Sequence, residues 1–415
     1  MIRLGRCDGR RWVERGHCRC TADADWVGVM ADGGSSVAIV AARRTPIGTA
    51  GHGLAKLTAA DLAAATLTAV AQDLRGLGVD EDPDDVVLGN CLGPGGNVAR
   101  VAALQAGLPV SVPGLTVDRQ CGSGLAAVSI GAALLPHASS SRPLTLAGGV
   151  ESASTAPWRF WPPTNGSPPR RYERAPFAPA DLGDPDMGEA ADLLAADAGI
   201  SRERQDAYAA RSHWLAVEAR ERHAFDDEVV PVGGLGSDER PRLGLTVERL
   251  ARLKPAFRDG GTVTAGNSCG ISDGAAVLGL ITEVQRRRLG LPGLRLVATA
   301  TAGIDPRRPG LGIVPAVQQV LSHAGLRLAQ VDVLEFNEAF AGQILACTDR
   351  LGLDPERVCR QGGALALGHP WGASGAVLLV RMFSQLIRAE SGRYGLAAIA
   401  VGGGQGVATV VEACR

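Results

Sequence analysis

From Val37 onward the chain alternates short apolar runs with alanine-rich stretches of helical period, and this alternation restricts it to layered α/β folds. Val37 to Ala42, Val86 to Gly89, Leu115 to Asp118 and Leu144 to Gly148 read as buried strands. Ala59 to Leu74 and Gly122 to Leu135 read as helices between them. Ser154 to Ala180, rich in proline, arginine and tryptophan, breaks the pattern as an irregular excursion. Helices over Met187 to Ala198 and Ser201 to His223 follow, and regular alternation resumes near Ala275. Val331 to Phe336 and Leu396 to Val401 read as strands, and Val410 lies in a closing one. The second half echoes the first, with an inserted region between them.

The chain has 415 residues, enough for two or three domains and a large core. At 46% hydrophobic and 20% charged it is globular in composition. A net charge of -1 and an aromatic content of 4% argue against nucleic acid or an anionic membrane as partner. No apolar run approaches the ~20 residues that a membrane span requires. Nine cysteines at irregular spacing do not form a disulfide framework, so a reducing, cytoplasmic setting is expected. Lys56 and Lys254 are the only lysines, so any phosphate contacts fall mainly to arginine. Residues Met1 to Ser36 lack periodicity and read as a disordered extension or as a start codon placed ahead of Met30. Within them His17, Cys18 and Cys20 have no second ligand pair at a useful spacing, so no metal is expected.

Four segments carry chemistry. Val117-Asp118-Arg119-Gln120-Cys121-Gly122-Ser123-Gly124 ends a strand, presents a cysteine and opens a helix with small residues, in the manner of a nucleophile elbow. Amides and dipole at the helix start would favour a thiolate there; taken alone, Cys121 reads equally well as a buried, inert thiol. Gly362 to Gly368 lead into His369-Pro370 and a second helix, where an imidazole can act as a base or simply as a hydrogen-bonded loop residue. Glu335-Phe336-Asn337-Glu338 closes an apolar strand, where Asn337 suits holding a water or a carbonyl oxygen, or capping the next helix. Gly402-Gly403-Gly404-Gln405-Gly406 follows a strand and can turn backbone N–H groups toward an oxyanion, while the absence of a following Lys-Ser/Thr argues against a phosphate loop.

In order and spacing these segments resemble the thiolases, and the resemblance runs from about Val37 to Glu412. It includes Ile39 to Gly48, Gly148 to Ser152, Gly199 to Asp206 and Gly261 to Asn267. It implies two similar halves in αβαβα layers with an inserted loop domain that binds coenzyme A. The expected boundaries are 37–149 with 272–292 for the first half, 150–271 for the loop domain and 293–415 for the second half. It implies that Cys121 carries an acyl group as a thioester and that His369 takes its proton. It implies one oxyanion hole from the N–H groups of Cys121 and Gly402, and another around a water held by Asn337. Coenzyme A contacts fall on Ala265, Gly266, Cys269 and Arg242, with coenzyme A or acyl-CoA as substrate and no tightly bound cofactor. A homodimer or homotetramer is implied as well.

The sequence departs from the family at one telling place. Where members carry a second catalytic cysteine in a Cys-x-Gly-Gly-Gly pattern, this chain has Ala400. Alanine moves no proton, and a placed acid or base contributes on the order of 10²–10⁴ in rate. Lesser departures are Cys269 for a serine that meets coenzyme A, Trp158 for a histidine near the acyl pocket, Gln361 for an asparagine and Pro309 for a methionine. The expected activity is reversible Claisen condensation and thiolysis of 3-oxoacyl-CoA through Cys121. The alternatives are an acyltransferase or ketosynthase-like enzyme that passes the acyl group to another acceptor, and a non-catalytic thiolase-like subunit.

Overall fold

The computed structural model describes residues 36–164 and 166–415. The expectations for His17, Cys18, Cys20 and the start at Met30 lie outside the described residues. The first half runs β1 (Val37–Arg44), β2 (Gly48–Thr49), α1 (Ala59–Gly76), β3 (Asp85–Gly89), α2 (Val98–Gln105), β4 (Gly114–Val117), α3 (Ser123–Leu134) and β5 (Leu144–Ser152). The excursion holds a small hairpin, β6 (Arg159–Trp161) and β7 (Arg170–Tyr172), then α4 (Met187–Asp197), α5 (Arg202–Glu221) and α6 (Val247–Leu250). The chain returns through β8 (Ser272–Thr282) and α7 (Glu283–Leu289). The second half runs β9 (Gly293–Gly303), α8 (Ile313–Ala324), β10 (Val333–Phe336), α9 (Ala341–Leu351), α10 (Ala364–Leu367), α11 (Trp371–Phe383), β11 (Tyr394–Val401) and β12 (Gln405–Cys414).

The strands make one ten-stranded sheet, nine of them in the continuous order β10-β11-β12-β9-β1-β8-β5-β3-β4 and the tenth, β2, pairing with β8. The order repeats outward from its middle. β1 pairs antiparallel with β8, β8 antiparallel with β5, and β5 parallel with β3. β9 pairs antiparallel with β12, β12 antiparallel with β11, and β11 parallel with β10. The halves meet at β1 and β9, where Ala38 faces Arg295 and Ile39 faces Leu294. β5 is buried on both faces along its whole length, so its apolar run is continuous rather than alternating.

Helices α3 and α11 lie between the halves. α3 packs on β3 and β5 and also meets β12, while α11 packs on β5 and β8 and also on β10 and β11. Their shared core joins Val87, Leu125 and Ala147 of the first half to Leu379, Ala397 and Ile399 of the second. A second core lies under α8 and α9, and a third under α1 and α2. The result is the five-layer αβαβα arrangement. A buried ion cluster ties the excursion to both halves. Arg44 of β1 pairs with Glu228 at 2.7 Å and Asp238 at 2.6 Å, and Arg381 of α11 pairs with Glu228 at 2.5 Å.

Candidate active site

The turn before α3 presents the thiol. Gln120 takes a left-handed conformation at φ 47°, a strain that side chains other than glycine seldom bear. The strained residue thus precedes Cys121, and Ser123 fastens the turn. Its hydroxyl donates to the Gln120 carbonyl at 2.6 Å and accepts from the Arg119 N–H at 2.8 Å. The α3 helix sits very close to α11: a Cβ on Gly124 would lie 2.7 Å from the Ala376 nitrogen, and one on Gly375 would lie 2.5 Å from the Leu125 nitrogen. Only bare backbone lets the helix behind the thiol and the helix behind the imidazole dock at this separation.

Burial pushes the Cys121 thiol up to about 12, with the nearby charge of Cys269 and then Glu151 acting in the same direction. The N–H groups of Cys121 itself and of Gly402 pull the other way. The amides thus act in the direction expected of a helix start, but desolvation outweighs them. The thiol needs a base to become a nucleophile. The two amides that reach the sulfur are the pair expected to form the first oxyanion hole. Gly402 follows β11, and Phe177 of the excursion packs against it; a Cβ on Gly402 would lie 2.7 Å from Phe177 Cδ2.

His369 lies just ahead of α11, nearly fully buried. Burial pushes its pKa down to about 3, so the ring is neutral. Its Nδ1 lies 2.6 Å from Ser374 Oγ, and the Ser374 hydroxyl donates to the Pro370 carbonyl at 3.1 Å. With that proton directed to Pro370, Ser374 accepts from Nδ1–H, which leaves Nε2 as the free base. Asn337 Nδ2 lies 3.5 Å from Nε2. The Asn337 backbone extends β10 by an N–H bond to the Ala398 carbonyl at 2.9 Å. Asn337 is not a helix cap: α9 begins at Ala341, with Phe340 at the capping position.

Glu151 supports both loops. Its Oε1 accepts from Leu92 N–H at 3.0 Å and Asn90 Nδ2 at 3.1 Å, and its Oε2 from Gly372 N–H at 3.0 Å and Cys91 N–H at 3.2 Å. Burial raises its pKa. Glu338, buried beside Asn337, accepts from Ser212 Oγ at 2.7 Å and Tyr208 at 2.9 Å, which docks α5 against the Asn337 loop. Residues 267–271 run between the Asn337 and His369 loops. Ala341 N–H donates to Asn267 at 3.0 Å, Cys269 N–H to Ala339 at 2.9 Å, and His369 N–H to Gly270 at 3.1 Å.

The structure therefore brings Cys121, Gly402, His369, Asn337 and Cys269 into one neighbourhood. Ala265 and Arg242 are exposed and Gly266 is half-buried at the outer end of the same segment. Ala400 pairs with Gly406 near the end of β11, in line with Gly402. Cys414 is the last residue of β12, at the end remote from Gly406. Trp158 is exposed, with the Arg171 guanidinium 4.6 Å over its ring. Glu151 and Ser374 lie inside segments that the sequence flags, but no local pattern marks their roles. Phe177 carries no signal at all, since it comes from the irregular excursion. Among the described residues, no group of three or more His, Cys, Asp or Glu is set to hold a metal, and no helix is long and apolar enough to cross a membrane.

Two family models match the chain: the thiolase N-terminal domain over residues 37–284 and the thiolase C-terminal domain over residues 291–413. An acetyl-CoA acetyltransferase of Pseudomonas aeruginosa is 42% identical over 393 residues, spanning 90% of this chain and 98% of its own. A beta-ketoadipyl-CoA thiolase of the same organism is 42% identical over 405 residues, spanning 91% and 98%. The crystal structure of the Bacillus anthracis acetyl-CoA acetyltransferase superposes with a TM-score of 0.83 at 39% identity, covering 91% of this chain and 99% of that one.

Proposed function

The chain belongs to the thiolase family, and from that premise we propose how its own residues carry out acyl-CoA C-acyltransfer. It is an enzyme of the acetyl-CoA C-acyltransferase type. Cys121 attacks the carbonyl of an acyl-CoA or 3-oxoacyl-CoA, and His369 Nε2 takes the thiol proton. The N–H groups of Cys121 and Gly402 hold the oxyanion of the tetrahedral state. Asn337, beside Nε2, holds a water that helps bind the thioester oxygen of the second substrate. A second acyl-CoA carbanion, or coenzyme A, then takes the acyl group. The observation that carries this reading is that the Cys121 thiol, reached by the N–H groups of Cys121 and Gly402, shares a neighbourhood with His369, whose Nδ1 is held by Ser374 at 2.6 Å and whose Nε2 lies 3.5 Å from Asn337 Nδ2.

Coenzyme A binding is proposed along Ala265, Gly266, Cys269 and Arg242, which line the outward end of the segment that crosses the site. Arg242 is exposed, and its N–H donates to His213 Nδ1 at 3.3 Å, which leaves its guanidinium available to a phosphate. The loop domain is proposed to span 150–271 between the two halves. The test is coenzyme A-dependent thiolysis of 3-oxoacyl-CoAs of graded chain length, with Cys121→Ala as control. Turnover that vanishes in Cys121→Ala is expected; turnover that persists in the variant would rule out Cys121.

Ala400 favours one second reading, an enzyme that loads an acyl group on Cys121 and passes it to another acceptor. In that case wild-type protein acylates on Cys121 but does not cleave 3-oxoacyl-CoA. We also propose a homodimer formed at the outer edge of the first half. There β4 ends the sheet, and Val101, Leu104, Val110 and Leu115 are exposed. Sedimentation should give at least twice the mass of one chain, and Leu115→Lys should shift it toward the monomer; a wild-type monomer at micromolar concentration would refute the assignment.

A further inference from the structure

Cleaving the bond beside a thioester leaves a carbanion at the α-carbon, and forming the bond requires the same carbanion, so one proton must move there in either direction. Ala400 has no group to move it, and His369 already holds the Cys121 proton. A second thiol stands in the site. Cys269 is half-buried, like Cys121. Its N–H bonds to Ala339, two residues past Asn337, and the carbonyl of the next residue, Gly270, accepts from His369. Short β-bridges flank it on both sides, Ser268 to Phe340 and Ile271 to His369, so backbone on both sides holds its position. After burial, Cys269 is the next cause that raises the Cys121 thiol. Arg240 lies over the neighbouring glycine: a Cβ on Gly270 would strike its guanidinium. The Nε of Arg240 is buried without a hydrogen-bond partner. Burial pushes the Cys269 thiol up to about 12, with Glu338 acting in the same direction, while Arg240 pulls toward the thiolate. A guanidinium with a spare donor beside a thiol lowers the cost of the thiolate.

We propose that Cys269 is the second acid–base group of this site, moving the α-carbon proton with Arg240 beside it, in place of the thiol missing at position 400. This rests on the Cys121 acyl-enzyme reading. In thiolysis, Cys121 sulfur, its proton on His369 Nε2, bonds to the 3-carbonyl carbon of the substrate. The bond from that carbon to the α-carbon breaks, and the electron pair stays on the α-carbon. Cys269 S–H protonates it, which releases the two-carbon acyl-CoA and leaves a thiolate beside Arg240. Incoming coenzyme A gives its thiol proton to Cys269 as its sulfur attacks the Cys121 thioester. Cys121 sulfur departs with its electron pair and recovers the proton from His369. Every proton returns to its starting group, and no oxidant or reductant is consumed.

The full-length enzyme is incubated with acetyl-CoA in D2O. Mass spectrometry reads acetyl on Cys121, and NMR reads deuterium entering the acetyl methyl group. Wild type is expected to show both. Cys269→Ser, which puts the family's coenzyme A-contacting hydroxyl at this position, is expected to lower exchange relative to acetylation by on the order of 10²-fold or more. Adding Ala400→Cys to that variant is expected to restore exchange. Arg240→Met is expected to move the basic rise of the exchange–pH profile upward, because Glu338, Cys121 and the neutral His369 then face Cys269 without their cation. Exchange at the wild-type rate in Cys269→Ser, or acetylated wild type without exchange, overturns the proposal while leaving the acyl-enzyme reading in place. Equal loss of acetylation and exchange in Cys269→Ser makes Cys269 a binding residue and also overturns it. Wild type with no acetyl on Cys121 overturns the acyl-enzyme reading itself, and the proposal with it.

Discussion

At the scale of single residues, the proposed mechanism has its reactive groups neutral until substrate arrives. Burial holds Cys121 as a thiol and His369 as a free base, and Ser374 sets which ring nitrogen carries the proton. The same burial lets two backbone N–H groups act at full strength on a developing oxyanion. Gly402 is the most exposed to perturbation, because its turn is wedged under Phe177. A methyl group added there must push Phe177 or the turn aside. Gly402→Ala is therefore expected to lower kcat by on the order of 10²-fold, the loss of about one oxyanion donor. Acylation kinetics with acetyl-CoA check this; an unchanged rate would remove Gly402 N–H from the hole. Cys121, His369, Asn337 and the glycine run were all legible in the sequence, because each sits in a local pattern whose chemistry needs those residue types. Glu151, Ser374 and Arg240 were not legible as partners, because what each does is set by neighbours distant in sequence.

At the scale of elements, the excursion is joined to the layers by buried charge as well as by apolar packing, with Ala216, Ala219 and Phe225 in one core and Ala195, Ile200, Tyr208, Ala209 and Leu250 in another. Glu228 lies between Arg44 of β1 and Arg381 of α11, with Ser384 at 2.6 Å and Asp238 completing the set. Phe225 fills the space between the two guanidinium groups, 5.5 Å and 4.3 Å from its ring. The cluster neutralises itself in the interior, so removing one charge leaves a buried cation uncompensated. Glu228→Gln is expected to cost about 3–5 kcal/mol in unfolding free energy. Urea denaturation checks it, and a cost within ~1 kcal/mol would mean that water reaches the cluster. Sequence periodicity located β1, β3, β4, β5, β10, β11, α1 and α3 of the layers, since a buried strand or helix must repeat its apolar residues, but it gave no bounds for β8, β9, α2, α8 or α9. It did not find the β6–β7 hairpin, whose Trp161 and Tyr172 rings stack at 4.6 Å in the middle of a segment without periodicity.

At the scale of the whole molecule, two buried histidines make stability depend on pH. His369 is pushed down to about 3 by burial, and His213 to about 4 by burial together with Arg240 and Arg242. Both are neutral in the fold, whereas unfolded histidine takes up a proton near ~6.5. The stability they contribute is thus fully present above about pH 6.5 and is lost as pH falls toward 4 and below, where the unfolded chain binds the extra protons. Urea midpoints of wild type and His213→Gln, taken from pH 7.5 to 4.5, separate the two histidines. The gap between the proteins should narrow as pH falls; a constant gap would show that His213 stays uncharged in both states. The repeated strand order, outward from β1 and β9, was only an echo in the sequence. It became a fact once pairing directions and neighbours were known. What the sequence by itself determined is the alternation of elements and the layered fold, and it singled out Cys121, His369 and the glycine turn as the candidates for chemistry, because periodicity and local motif are properties of adjacent residues. What only the tertiary structure decided is that Cys121 rests as a thiol, that Ser374 leaves Nε2 of His369 free, and that Cys269 and Arg240 stand beside it. Desolvation, tautomer and proximity arise from residues far apart in the chain, and no local pattern encodes them.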